Sequence, residues 1–139
     1  MREVIETRLR AILPLVAEHF AVPLHGLQEP EFLLYRRGDF FRPHQDNSID
    51  RRYGIDLRRR AVSAVLFLNA QSRLPEPDAY CGGELRLYTP RDPARPYIPI
   101  GGNPGRLVAF RSATIHEVRP VTHGERYTVA AWFTQPSPG

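Results

Sequence analysis

Beyond its first twenty residues the chain sustains no helical period. It reads instead as short apolar runs cut by turn residues, with fourteen prolines and ten glycines in 139 residues. Proline removes a backbone donor and fixes φ, while glycine admits turn conformations, so this punctuation favours short strands over a helical bundle. The strongest run is 61–69, Ala-Val-Ser-Ala-Val-Leu-Phe-Leu-Asn, with the length and branched content of a strand covered on both faces. Further strand signals fall at 31–35, 40–46, 82–88, 106–111 and 126–133, with proline-rich connections at 70–80 and 89–103. A β-sandwich or barrel is expected.

Residues 2–20 are the exception. Ile5, Leu9, Ile12, Leu13, Val16 and Phe20 fall on one stripe of a helix, with Arg2, Glu3, Glu6, Arg10 and Glu18 mostly off it. Such a helix packs on a sheet, and Pro14 within it predicts a bend or a break. The length suits one domain, 1–139, made of a helical buttress at 1–26 and a β core at 27–134. Residues 135–139 are expected to fray.

The formal charge of +4 is a mild excess, mostly arginine. Arg51, Arg52, Arg58, Arg59 and Arg60 crowd around Tyr53 and Gly54, which predicts an exposed loop within 48–60. A nucleic-acid groove would need more stacking aromatics than Tyr53 alone. A single cysteine, Cys81, excludes an internal disulfide framework and suits a reducing compartment. No run is long enough to span a membrane and the start has no apolar signal segment, so the expected location is cytoplasmic. No phosphate loop and no nucleophile elbow occur.

The chemistry concentrates at 44–46. On an extended strand, His44 and Asp46 would point to one face, because side chains alternate with period two. An imidazole beside a carboxylate, joined by a second imidazole, suits non-haem Fe(II), which needs open positions for oxygen. His116, seventy residues after Asp46, follows a strand; His19, His25 and His123 lack ligand spacing. Ten residues after His116, Arg126 opens a strand on which Arg126, Thr128, Ala130 and Trp132 share a face. A buried arginine requires a carboxylate. Glu117 or Glu125 could supply it as an internal salt bridge; a small dicarboxylate held by Arg126 and Thr128 is the other solution.

Taken in order, Tyr35, His44-x-Asp46, Arg60-x-Val-Ser-x-Val-Leu-Phe-Leu-Asn69, Gly82-Gly83-x-Leu85, Pro104-Gly105-Arg106-Leu107-Val108-x-Phe110, His116-Glu117-Val118 and Arg126-Tyr127-x-Val129-x-x-Trp132-Phe133 resemble the prolyl-4-hydroxylase type of Fe(II)- and 2-oxoglutarate-dependent dioxygenase. The resemblance implies a mainly β fold with an N-terminal helix, a double-stranded β-helix of the jelly-roll, cupin-like kind. It implies Fe(II) on His44, Asp46 and His116, with 2-oxoglutarate on Arg126 assisted by Thr128. Tyr35, Leu85, Val118 and Trp132 match positions around the co-substrate, while Asn69, Gly82 and Gly83 shape turns. O2 is the second co-substrate, and ascorbate an auxiliary reductant. The implied reaction is hydroxylation of a prolyl or other peptidyl C–H bond, with release of succinate and CO2. A free amino acid as substrate, or a non-catalytic cupin-like domain that binds metal or ligand, is the alternative. Nucleic acid is disfavoured, because Trp132 stands where related demethylases commonly carry a second arginine. Two departures stand out: Phe67 replaces a frequent tyrosine that meets the distal carboxylate, and Cys81 replaces a common acidic residue. The chain is also short for the type.

Overall fold

Helix α1 (Arg2–Phe20) is one continuous element despite Pro14. Pro14 is exposed, so the Arg10 carbonyl that loses its helical donor can turn to solvent, and the helix is not broken there. The helix ends at Ala21 in the left-handed region, φ 52°, where the Ala21 and Val22 amides cap the Glu18 and Ala17 carbonyls. The computed structural model describes residues 1–50 and 55–136.

Thirteen strands follow among the described residues: β1 (Gly26–Leu27), β2 (Glu31–Tyr35), β3 (Phe41–His44), β4 (Ile49–Asp50), β5 (Ile55–Asp56), β6 (Arg60–Phe67), β7 (Cys81–Gly82), β8 (Leu85–Tyr88), β9 (Tyr97–Ile100), β10 (Leu107–Arg111), β11 (His116–Val118), β12 (Val121–His123) and β13 (Arg126–Thr134). The larger sheet runs β1-β13-β6-β10, with β2 also paired to β13; the facing sheet runs β3-β11-β8-β9. Every pair of these strands is antiparallel. Two such sheets, wound about a shared interior with a helix outside, form the double-stranded β-helix.

Alternation on β6 and β13 divides the hydrophobic core in two. One face of each strand gives Val62, Ala64, Ala131 and Phe133 to a cluster with Leu9 and Val16 of α1. The other face looks between the sheets, where Phe67 packs with Leu85, Leu87, Phe110 and Val118. Full burial of side chains this size stabilises the fold by ~1.5–3 kcal/mol each. No helix among the described residues is long and apolar enough to cross a membrane.

The proline-rich stretch 89–103, expected to be only a loop, contains β9. Pro99 is tolerated there because β9 lies at the edge of its sheet and pairs only with β8. The expected loop at 48–60 also carries structure: β4 pairs with β5, and Arg60 begins β6. Arg51, Arg52, Tyr53 and Gly54 of that expectation lie outside the described residues. Of the expected frayed tail, Gln135 is held by the Arg59 carbonyl at 2.9 Å, and residues 137–139 lie outside the described residues.

Phe133 is fully buried beneath α1, whereas Leu15, on the outer side of the helix, is 66% exposed. Phe133→Ala should therefore lower the unfolding free energy by about 3–5 kcal/mol in urea denaturation, and Leu15→Ala should change it by no more than about 0.5 kcal/mol.

Candidate active site

The register of β3 against β11 sets His44 directly opposite His116. Asp46 has already left the strand. Its amide donates to the Ser112 carbonyl at 2.9 Å, and the neighbouring Gln45 side chain donates to the Ala113 carbonyl at 2.8 Å. The expected convergence of His44 and Asp46 thus occurs, but loop anchoring rather than strand alternation produces it. Asp46 Oδ1 lies 3.2 Å from His44 Nε2 and 3.3 Å from His116 Nε2.

Both imidazoles are oriented from behind. His44 Nδ1 lies 2.7 Å from the Arg42 carbonyl, and His116 Nδ1 lies 2.8 Å from the Thr114 carbonyl. A carbonyl only accepts, so each Nδ1 carries the proton and, in the neutral ring, Nε2 presents a lone pair. Phe41 stacks on His44 at 3.8 Å, and Phe110 meets His116 edge-on at 4.7 Å. Two lone pairs and a carboxylate oxygen directed at one another repel unless a proton or a cation lies among them. Burial opposes the charge on Asp46. With protons on those Nε2 atoms in place of an ion, hydrogen bonds from His116 and His44, the charge of His116 and the Ser63 hydroxyl outweigh it, so the carboxyl sits well below the ordinary range.

One ligand atom from each of His44, Asp46 and His116 lies within 4.8 Å of the others, the condition for sharing one ion. Ligand atoms roughly 2.1 Å from an ion and at right angles would be about 3 Å apart, close to the Nε2–Oδ1 spacings. Two neutral imidazoles and one carboxylate on one side of an ion are the donor set that suits Fe(II). These residues fit the metal.

The second part of the site is Arg126, buried to 2% exposure at the start of β13. Its Nε donates to the Gly83 carbonyl at 3.1 Å and its Nη1 to Thr128 Oγ1 at 3.4 Å. Gly83 has φ +59°, and a Cβ there would come within 3.1 Å of Arg126 Cδ, so the close approach requires glycine. Rings of Tyr35, Phe67 and Tyr80 surround the guanidinium at 5.2, 5.4 and 6.0 Å. Burial pulls its pKa down, with Tyr80 and Tyr35 opposing.

No carboxylate pairs with Arg126 among the described residues, and the internal salt bridge is not formed. Glu117 instead bonds Tyr88 and Arg119, and Glu125 bonds Arg36 and Tyr127. Beside the guanidinium, the hydroxyl of fully buried Tyr80 nears Arg126 and Gly102 without hydrogen-bond geometry to either. A buried cation with no carboxylate beside it among the described residues, next to a buried phenol, fits an acidic ligand such as 2-oxoglutarate.

All nine site residues expected from sequence, namely Tyr35, His44, Asp46, Leu85, His116, Val118, Arg126, Thr128 and Trp132, line one cavity of about 710 Å³. Trp132 does more than line it: its Nε1 donates to Asp46 Oδ2 at 3.1 Å, and Arg60 lies 3.7 Å over its ring. Ser63, which falls within the 60–69 motif but is given no role there, donates to the same oxygen at 2.6 Å. A single inward-facing serine in the apolar run 61–69, within that motif, was its signal. Tyr80, in a proline-rich connection, had none.

Comparison with known proteins agrees with this geometry. A PKHD-type hydroxylase of Burkholderia thailandensis is 39% identical over 105 residues, covering 75% of this chain and 42% of the relative. The chain thus spans less than half the length of that curated relative. A crystallographically solved prolyl-4-hydroxylase of Pseudomonas putida is 30% identical with a TM-score of 0.72, over 95% of this chain and 65% of its own. A prolyl hydroxylase from Trichoplax adhaerens, solved with a hypoxia inducible factor oxygen degradation domain peptide fragment, is 25% identical with a TM-score of 0.61, over 81% of this chain and 46% of its own. These likenesses agree with the prolyl-4-hydroxylase type that the motifs resemble. With sequence, two-sheet fold and converging side chains in accord across residues 30–134, the chain belongs to the 2OG-Fe(II) oxygenase superfamily.

Proposed function

We propose that the protein is an Fe(II)- and 2-oxoglutarate-dependent dioxygenase that hydroxylates a peptidyl C–H bond, prolyl first among candidates, releasing succinate and CO2. The observation that carries this reading is one cavity holding both the His44, Asp46 and His116 donor set and an Arg126 without a carboxylate partner among the described residues. The peptide bound to the Trichoplax adhaerens enzyme supports a peptide substrate. Residues 1–26 act as the buttress and 27–134 as the catalytic body. Lone, buried Cys81 suits a reducing, cytoplasmic setting, and ascorbate belongs to the same reading as an auxiliary reductant.

In this reading His44, Asp46 and His116 hold the metal, which when bound supplies the oxidative chemistry with O2. Every other task falls to the protein. Arg126, oriented by Gly83 and Thr128, binds the distal carboxylate of 2-oxoglutarate and fixes the direction in which its keto acid end points. Leu85 and Val118 make the wall apolar and the Phe67 ring packs beside the guanidinium, which strengthens the charge contact by excluding water. Tyr35, above Arg126 on β2, closes the side of the cavity.

Mixing the protein with Fe(II) and 2-oxoglutarate without oxygen should produce a weak visible charge-transfer band. His44→Ala or Asp46→Ala should abolish the band and lower succinate formation at least about 100-fold; parent-like turnover in either variant would remove the triad from the mechanism. Arg126→Gln should raise the KM for 2-oxoglutarate about 10- to 100-fold, the size expected from losing a charge-assisted pair, measured by succinate release at varied co-substrate. The substrate class is tested by screening turnover against proline-containing peptides and free amino acids, with mass analysis for one added oxygen. Oxygen gained only by free amino acids would replace the peptidyl assignment.

A further inference from the structure

The two oxygens of Asp46 keep different company. Oδ1 faces the imidazoles, while Oδ2 accepts hydrogen bonds from Ser63 Oγ at 2.6 Å and Trp132 Nε1 at 3.1 Å. Ser63 and Trp132 are cross-strand partners in the β6–β13 ladder, so the sheet register places both donors on one oxygen. Behind Ser63, its Oγ lies 2.9 Å from the Ser112 hydroxyl, which is fully buried just past the end of β10. A hydroxyl has one proton. Ser63 gives its own to a carboxylate that has none to return, so the contact between the serines has a direction: Ser112 donates to Ser63, and Ser63 to Asp46. Each bond in such a chain polarises the next.

We propose that Ser112, Ser63 and Trp132 are positioning residues that reserve Oδ2 as a non-ligand oxygen, so that Asp46 offers a metal one oxygen rather than two. The inference rests on the metal triad under Proposed function. A carboxylate oxygen has about two lone-pair sites in its plane, and on Oδ2 both face protein donors. Chelation through both oxygens would break two buried hydrogen bonds to a charged acceptor. Held at Oδ2, the carboxylate keeps Oδ1 aimed between His44 and His116 and leaves a coordination position for the keto acid or oxygen. Buried serines in apolar strands commonly bond their own backbone; here both side chains spend their protons on the path to Asp46.

The test uses Co(II), whose visible spectrum reports coordination number, titrated into the metal-free protein. Ser63→Ala should weaken Co(II) binding about 10- to 100-fold and change the spectrum, while Ser63→Thr, which keeps the hydroxyl, should restore both. Ser112→Ala, with Ser63 still in place, should cost less, about 3- to 10-fold, as the loss of one polarising neighbour. Because Ser112 acts only through Ser63, the double variant should bind no more weakly than Ser63→Ala alone. Parent-like affinity and spectrum in Ser63→Ala, or in Ser112→Ala should Ser63→Ala fail to fold, overturn the proposal. Should His44→Ala bind Co(II) as the parent does, the triad reading itself falls, an outcome distinct from failure of the serine relay.

Discussion

The ladder between β6 and β13 is the constraint on which the rest depends. Seven residue pairs, from Thr128↔Phe67 to Thr134↔Arg60, join the two strands at the centre of the larger sheet. Side-chain period is two, so this register assigns each residue either to the helix or to the interior. Val62, Ala64, Ala131 and Phe133 go to α1; Ser63, Phe67, Thr128 and Trp132 go inward, with Arg126 two residues before Thr128. A slip of one residue would turn the guanidinium to solvent and bury Tyr127 in its place. Core and site are therefore set by the same hydrogen bonds.

The interior these strands enclose is costly by the standards of a core. Among the described residues it holds Arg126 without a carboxylate, a Tyr80 hydroxyl without a well-formed hydrogen bond, and an Asp46 whose ionised form burial opposes. The fold offsets this with neighbours that fix orientation without neutralising charge: the Gly83 carbonyl, the Thr128 hydroxyl, three aromatic rings and the backbone acceptors behind both histidines. Groups held ready but unsatisfied are what a site awaiting an ion and an acidic ligand requires. The apolar packing beneath α1, remote from the cavity, supplies stability that the interior does not.

The relatives agree with the chain over its β core and extend well beyond its length. The matched range, 30–134, contains this chain's two sheets apart from β1, its three donors and its arginine. Those elements sit on the paired strands and their immediate ends, where geometry is least free to vary.

Much of this was legible in residue order alone. The apolar stripe of 2–20, the buried run 61–69 and the alternation after Arg126 each encode which face meets the core, because period and burial are local properties. His44-x-Asp46, His116 and Arg126 could be named because few residue types bind iron or a dicarboxylate. Other features depended on contacts between distant parts of the chain. Pro14 leaves α1 intact because it faces solvent, and Pro99 is accommodated because β9 lies at an edge. Asp46 reaches the histidines through the backbone at Ser112 rather than through strand alternation. The identity of Arg126's neighbours, the Tyr80 phenol beside it and the path from Ser112 through Ser63 to Asp46 join segments tens of residues apart. Local pattern specifies which face a side chain takes; only strand pairing and loop closure decide what it meets there.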